Sequence, residues 1–541
     1  MKQRPSGTFA KSTGWNGRKT RLNWRGFVRL GLQFAVALCG WEYAPLRAAE
    51  TSDLMMELFL QKGMVTAEEA ARIRGEAERI ATNGPAATMP IGEPKLISGK
   101  GFKRAELFGD LRLRYERRSA SDPSGHGIEL DRFRYTARIG LRGELFDDFY
   151  YGIRLDPNGN PRSPWLSFGT SSSSGAYQGP FGKSTANLNL GQLYLGWRRG
   201  DWADITIGKM ANPLYTTSMV WDPDINPEGL AERFKYTIGE ADLFLTMGQF
   251  LYQDPNPVHA SRGFFNIDYT DSSLPFLLTW QIGANYHVTK DVSVKVAPAV
   301  YYYTGHGVNT TSGAAEFPGF SGDYLGQGST NGIFGGSASW SGYPNGSFDG
   351  FAANQTGIRD LLVLEIPLEV NYKPGYADFR LFGDFAKNLR GKDRADHAFA
   401  AQFNPLLSTA GLLPIPSPQT GEDTAWTGGL SVASPEAVGL VTGAATKRHG
   451  WEIRTYWQHV EQYALDPNML DSDYFEGRAN LEGVFAAAAF GLSDNLTVIF
   501  RYGRANRINN RLGTGGSNLD IPQMNPVDSY NIYQFDLSLK F

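Results

Sequence analysis

Tyr530-Asn531-Ile532-Tyr533-Gln534-Phe535-Asp536-Leu537-Ser538-Leu539-Lys540-Phe541 closes the chain, and its reading decides the fold. Tyr533, Phe535, Leu537, Leu539 and Phe541 occupy every second position, with Gln534, Asp536, Ser538 and Lys540 between them. Successive side chains of a strand point to opposite faces, so this segment has one apolar and one polar surface. The same period begins at Glu106. Leu107, Leu111, Leu113 and Tyr115 share one face of that first segment, and Asp110, Arg112, Arg114 and Glu116 the other. Phe133, Tyr135, Ala137, Ile139 and Leu141 then alternate with Arg132, Arg134, Thr136, Arg138 and Arg142. A soluble sandwich alternates too, and length separates the two. Segments of about 10 to 14 residues fit tilted membrane strands better than the five or six usual in globular sheets.

Composition agrees with such strands. Only 41% of residues are hydrophobic, while aromatics reach 13% and glycine numbers 63. Mean hydropathy is −0.33, as expected where short alternating strands average their signal away. No stretch beyond residue 49 approaches the roughly 20 apolar residues of a spanning helix. Trp197, Trp202, Trp280, Trp426, Trp451 and Trp457 fall at or near strand ends, which suggests aromatic girdles at two membrane interfaces.

Short and long connections take turns. Phe146-Asp147-Asp148, Arg199-Gly200-Asp201, Gly239-Glu240, Thr289-Lys290-Asp291, Lys373-Pro374-Gly375 and Ser493-Asp494-Asn495 are tight. Long stretches separate them, from Pro157 to Ala186, Ala211 to Gly229, Leu251 to Leu274, Thr304 to Gly357, Leu389 to Thr424 and Ala505 to Ser529. Short turns opposite long loops are what a bacterial outer-membrane barrel requires. Ala433 to Gly450 is the one connection too long for an ideal turn. The expected fold is all-β, an antiparallel transmembrane barrel of about 16 strands over residues 106–541, with 14 and 18 as neighbouring solutions.

Residues 1–49 read as a secretory signal, with a long basic region, an apolar run from Leu30 to Leu38, and small residues at Ala48 and Ala49. The only cysteine, Cys39, follows Leu38, which is not the small residue that lipidation wants. Removing residues 1–49 leaves 43 basic and 54 acidic residues, which argues against nucleic acid as a partner. Residues 50–82 carry helical spacing, with Thr66 and Glu69 as a capping box, and predict a short periplasmic helical hairpin. Residues 83–105, rich in Pro, Gly and Ala, read as a linker.

If the apolar faces meet lipid, the other faces line the lumen. Arg112, Arg114, Arg132, Arg134, Arg138, Arg142, Arg154, Arg233 and Lys235 then form a basic wall, and Glu365, Glu369, Asp378 and Asp384 an acidic one. The pattern predicts a transverse field across a pore, which would orient polar solutes and set ion preference. The competing expectation is that these arginines pair with neighbouring carboxylates and fill the lumen. The long loop around Tyr324 to Asp349 and the one from Pro157 are candidates for a constriction folded inward.

Catalytic chemistry is not apparent. Asp222, Asp224, Asn226 and Glu228 place oxygen ligands at alternate positions, like a calcium loop, but Pro227 takes the place of the turn glycine and Arg233 that of the bidentate glutamate. A rigid loop braced by proline is the stronger reading there. The seven histidines are dispersed, and no serine elbow, phosphate loop or zinc motif appears. No cofactor and no enzymatic activity are expected.

A terminal phenylalanine on the apolar face resembles the sorting signal that barrel-assembly machinery reads, with Tyr533, Phe535, Leu537, Leu539 and Phe541 as its residues. The order of features over residues 54–541 resembles the putative porin family of Gram-negative bacteria. FGDLRLRYERR, DRFRYTARIGLRGELFDDFYYGIRL, LNLGQLYLGW and ITIGKMANPLYTTSMVWDPDINPEGLAERF carry the likeness, together with the aromatic terminal strand. The resemblance implies a passive diffusion channel for small hydrophilic solutes or ions, with no catalytic residues. It also implies a setting among outer-membrane lipid and lipopolysaccharide, and a homotrimer like many general porins. A sugar- or polysaccharide-selective channel is the alternative within transport, since Tyr301, Tyr302 and Tyr303 would suit sugar stacking. A non-conducting structural or adhesive barrel is the alternative outside it.

Overall fold

The computed structural model describes residues 102–123, 125–158, 163–169, 187–252, 276–304, 360–402, 420–510, 512–514, 520–521, 524 and 526–541. The chain divides into two units, Met1–Gly92 and Glu93–Phe541, and every described residue belongs to the second. The expected signal (1–49) and helical hairpin (50–82) lie outside the described residues.

The strands, in chain order, are β1 (Phe102–Ser121), β2 (Gly127–Leu145), β3 (Phe149–Asn158), β4 (Leu166–Ser167), β5 (Asn187–Arg199), β6 (Ala203–Lys209), β7 (Glu228–Ile238), β8 (Ala241–Leu251) and β9 (Phe276–His287). They continue as β10 (Val292–Val296), β11 (Ala299–Tyr303), β12 (Leu362–Tyr372), β13 (Asp378–Asn388), β14 (Thr424–Ala433), β15 (Trp451–Val460), β16 (Leu481–Gly491), β17 (Leu496–Arg507) and β18 (Ser529–Lys540). A helix, α1 (Gly391–Gln402), follows β13.

Each strand pairs antiparallel with its neighbours, and β1 also pairs with β18, from Asp110 opposite Lys540 to Ser121 opposite Ser529. The sheet therefore closes on itself as a 16-strand barrel. Two strands do not add staves. The two-residue β4 only flanks β2, while β10 and β11 are one stave interrupted at Ala297-Pro298, both halves lying between β9 and β12. Proline has no N–H to give to a ladder, so the break falls where the sequence requires it. The expected count of 16 holds. β1 starts four residues before Glu106, in the stretch read as linker, and those extra residues pair with β2 alone.

Phe541 extends the closing β1–β18 ladder by one more pair. Phe541 N–H donates to Gly109 O (3.1 Å) and Gly109 N–H donates to Phe541 O (2.9 Å). A side chain at Gly109 would stand 2.6 Å from the Phe541 ring and 2.3 Å from Arg138 O. Glycine is the residue that leaves room for the terminal ring at this position.

Outside, the barrel wears the apolar half of each alternation. Leu113, Phe133, Ile139 and Ile282 are 41%, 61%, 47% and 65% exposed. An exposed apolar belt of this extent has no place in water and is what a lipid-facing surface needs. The tryptophans form two levels: Trp197, Trp202 and Trp451 near the end with short turns, and Trp280, Trp426 and Trp457 toward the end with long loops. No helix among the described residues is long and apolar enough to cross a membrane.

Candidate functional site

The other half of each alternation points into the barrel, and its fate differs from one side to the other. On β1 and β2 the arginines are neutralised in place. Arg114 grips Asp536 through two nitrogens (2.7 and 2.9 Å), donates to Asp473 (2.6 Å), and lies with its guanidinium 4.0 Å from the Trp165 ring centre. Glu116, fully buried, gathers Arg118 (3.0 Å), Arg132 (2.7 Å) and Gln534 (3.0 Å), with Arg134 at 3.7 Å. Arg132 also reaches Asp520 (2.6 Å). Arg138 bridges Asp110 (2.7 Å) and Asp224 (3.0 Å), and Arg112 pairs with Asp110 (2.6 Å). Two-nitrogen grips on carboxylates are among the stronger polar contacts available, and they leave this wall with little free charge. Here the pairing expectation describes the structure better than the open ladder does.

The partners Trp165, Asp224, Asp473 and Asp520 are described residues of the connections between strands and meet the arginines from inside the barrel. Among the described residues, 210–227 and 461–480 turn inward most fully. Gln281 of β9 clasps the first loop, accepting from Tyr215 N–H (2.8 Å) and donating to Tyr215 O (2.7 Å) and Ala297 O (3.1 Å). Met219, Val220 and Trp221 then bury themselves in a cluster with Phe250, Tyr252, Leu277, Tyr301 and Tyr303. The two loops join through Asp222 N–H to Met469 O (2.6 Å) and Asp471 N–H to Ser218 O (3.2 Å). Asp222 also accepts from the backbone N–H of Ser472 (3.2 Å).

Burial, reinforced by the nearby charges of Asp471 and Asp224, pushes the Asp222 carboxyl well above the ordinary range. Asp471 is pushed up to about 7, first by burial and then by Asp473 and Asp224. For Asp473, burial is outweighed by Arg114 and Arg501, which hold its carboxyl below the usual range.

The expected acidic wall is built, then covered. Thr216 donates to Glu365 (2.5 Å), Thr217 to Asp384 (2.5 Å) and Tyr215 to Glu369 (2.7 Å), all from the inward loop. Glu365 is 0% and Asp384 4% exposed, and Asp378, also buried, accepts from Glu436 N–H (3.1 Å). A solute thus meets little of the acidic half of the expected field. Tyr301 and Tyr303 are buried in the cluster under the loops while Tyr302 points outward, so the three do not form a sugar-stacking platform. The long connection 434–450 folds inward from the turn end. Leu440 and Val441 are buried, and Glu452 receives the N–H groups of Gly439 (3.0 Å) and Val441 (2.8 Å).

The open side runs along β2 to β10 and reaches β13 only at Arg380 near the short turn, beyond Glu365 and Asp384, which the inward loop covers. Arg142, Arg198 and Lys235 are exposed there, with Arg154, Arg233, Lys295 and Arg380 half-buried. Arg142 pairs with Glu106 (2.9 Å), Arg154 with Asp156 (2.6 Å), Arg198 with Asp204 (2.8 Å) and Arg380 with Glu369 (2.7 Å). Lys295, missed in the sequence, was visible as the polar position of Val294-Lys295-Val296. The oxygen residues of the calcium-like stretch scatter: Asp222 to Ser472, Asp224 to Arg138, Asn226 to Gln192 (2.9 Å) and Glu228 to Lys209 (2.6 Å). Among the described residues no group of three carboxylates, histidines or cysteines is placed to hold a metal ion.

An even-staved antiparallel barrel with an apolar belt, paired aromatic levels, short turns at one end and loops folded into its interior has the architecture of a bacterial outer-membrane barrel. Residues 127–317 match the family model described as "Putative porin", so the resemblance in the sequence is a family match over that stretch. Similar solved structures include an anion-selective porin from Comamonas acidovorans (11% identity, 81% of this chain and 99% of that one, TM-score 0.38). OmpT of Vibrio cholerae is similar at 10% identity (83% and 100%, TM-score 0.37). OmpF of Salmonella typhi, in complex with daunomycin, is similar at 9% identity (82% and 99%, TM-score 0.38). No curated protein matches the chain.

Proposed function

We propose that this chain is a passive diffusion channel of the outer membrane that admits small hydrophilic solutes and ions along one side of its lumen. The supporting observation is the asymmetry of the interior. The sector from β14 through β18 to β1 is packed with loop side chains, whereas the facing sector keeps Arg142, Arg198 and Lys235 exposed. Charged side chains on an inner wall stay hydrated only if water reaches them, and a water-lined wall is a path for polar solutes. In this reading the chain is exported on residues 1–49, inserted through recognition of the strand ending at Phe541, and set as a homotrimer among lipid and lipopolysaccharide. The barrel serves passage and not catalysis.

Planar-bilayer recording of the refolded protein tests the reading. Stepwise conductance supports it. A folded barrel, shown by heat-modifiable migration on a gel, that conducts nothing would make this a structural or adhesive barrel instead.

A further inference from the structure

We propose that the open side of the lumen carries a binding site for compact multivalent oxyanions of the phosphate class, formed by Arg233 and Lys235 of β7 and Lys295 of β10. The inference rests on the channel reading and gives it a solute class.

Three observations carry it. The first is placement. Arg233 stands opposite Asp204 across the β6–β7 ladder, and Lys235 opposite Phe244 across β7–β8, both on the inward face. Lys295 stands between Asn285 of β9 and Glu369 of β12, also inward.

The second is missing counter-charge. Among the described residues, none of these three cations has a carboxylate within ion-pair distance, while Arg142, Arg154, Arg198 and Arg380 each hold one. The acids nearest in the ladder are already engaged. Asp204 is held by Arg198 (2.8 Å) and by the Tyr150 hydroxyl. Glu369 is taken by Arg380 (2.7 Å) and Tyr215 (2.7 Å). Asp242, inward on β8, is turned to Thr237 (2.8 Å) and His287 (3.1 Å). This wall therefore carries more cations than carboxylates, and among the described residues Arg233, Lys235 and Lys295 are the ones with no ion-pair partner.

The third is preorganisation. The Lys295 ammonium lies 3.5 Å from the centre of the Tyr215 ring and 5.5 Å from that of Phe244. Tyr215 is fixed by Gln281 and Glu369, so the inward loop holds Lys295 at the edge of the open passage. Like charges gathered without a counter-ion repel one another, and an anion with two or more charges relieves that repulsion where chloride does so only in part. Arg233 adds the forked donor that matches an oxyanion, and the two lysines supply point charges beside it.

The test is a bilayer recording of the refolded protein. In a potassium chloride gradient the reversal potential should show anion preference. Millimolar inorganic pyrophosphate should reduce the chloride current. R233Q/K235Q/K295Q should weaken that block by roughly tenfold or more and shift selectivity toward cations, with heat-modifiable migration and conductance retained. R117Q, on the outer face and paired with Glu129, should leave the block unchanged. Conductance without pyrophosphate block overturns the site and leaves the channel intact. Block that survives in the triple variant overturns the location. Absence of any conductance overturns the channel reading itself.

Discussion

Gly109 and Phe541 show how much of this barrel depends on single contacts. The terminal ring covers a position where any Cβ would meet it at 2.6 Å. G109V should lower the stability of the folded barrel by about 1–3 kcal/mol, the usual cost of forcing volume into a packed contact, read from the urea midpoint of heat-modifiable migration. An unchanged midpoint would show that the ring is not seated there. Arg114 is the second such residue, since its side chain and that of Asp536 are 1% and 3% exposed. Deleting one partner of a buried pair leaves the other uncompensated, at a cost of about 3–5 kcal/mol. R114L should therefore destabilise far more than R117L, whose pair with Glu129 is exposed. Equal effects in urea would place Arg114 in open water.

At the scale of elements, the strands were legible and the folded-in loops were not. Alternation along Phe133 to Arg142 is a local property, because each side chain's face follows from its own position in the strand. The inward course of 210–227 depends on Gln281, Glu365 and Asp384, which lie far along the chain and give no signal beside Tyr215 or Thr216. The calcium-like spacing of Asp222 to Glu228 marked the right segment for the wrong reason: its carboxylates fasten the loop and do not converge. The arginines of β1 and β2 alternate with the apolar positions in the sequence, yet their partners Asp473 and Asp520 belong to loops whose positions no period announces.

The joint between loops 210–227 and 461–480 should respond to pH. The Asp471 carboxyl titrates near 7 in the folded barrel, against about 3.9 in an unfolded chain. The folded state therefore holds the extra proton between these values. Its stabilising effect is full below about pH 4 and is lost as pH rises through 7. Asp222, also raised, acts in the same direction. Asp473 is lowered and stays charged across that window, so it adds no slope there. Loop 461–480 should resist proteolysis better at pH 5.5 than at pH 8, and D471N should flatten the difference. A loop more protected at pH 8 would reverse the assignment.

For the whole molecule, the central claim is that the barrel has a packed side and an open side. The chain's only cysteine, Cys39, precedes the barrel, so a background with Cys39 replaced accepts single cysteines without interference. Lys235 is exposed on the open wall, whereas Ser431 is buried on the inner face of β14 and hydrogen-bonded to Glu452 (2.6 Å). Single-channel current should fall when a charged thiol reagent is added to K235C and stay constant when it is added to S431C. Modification of S431C with K235C unaffected would contradict the account, because the path would then run along the side described here as closed.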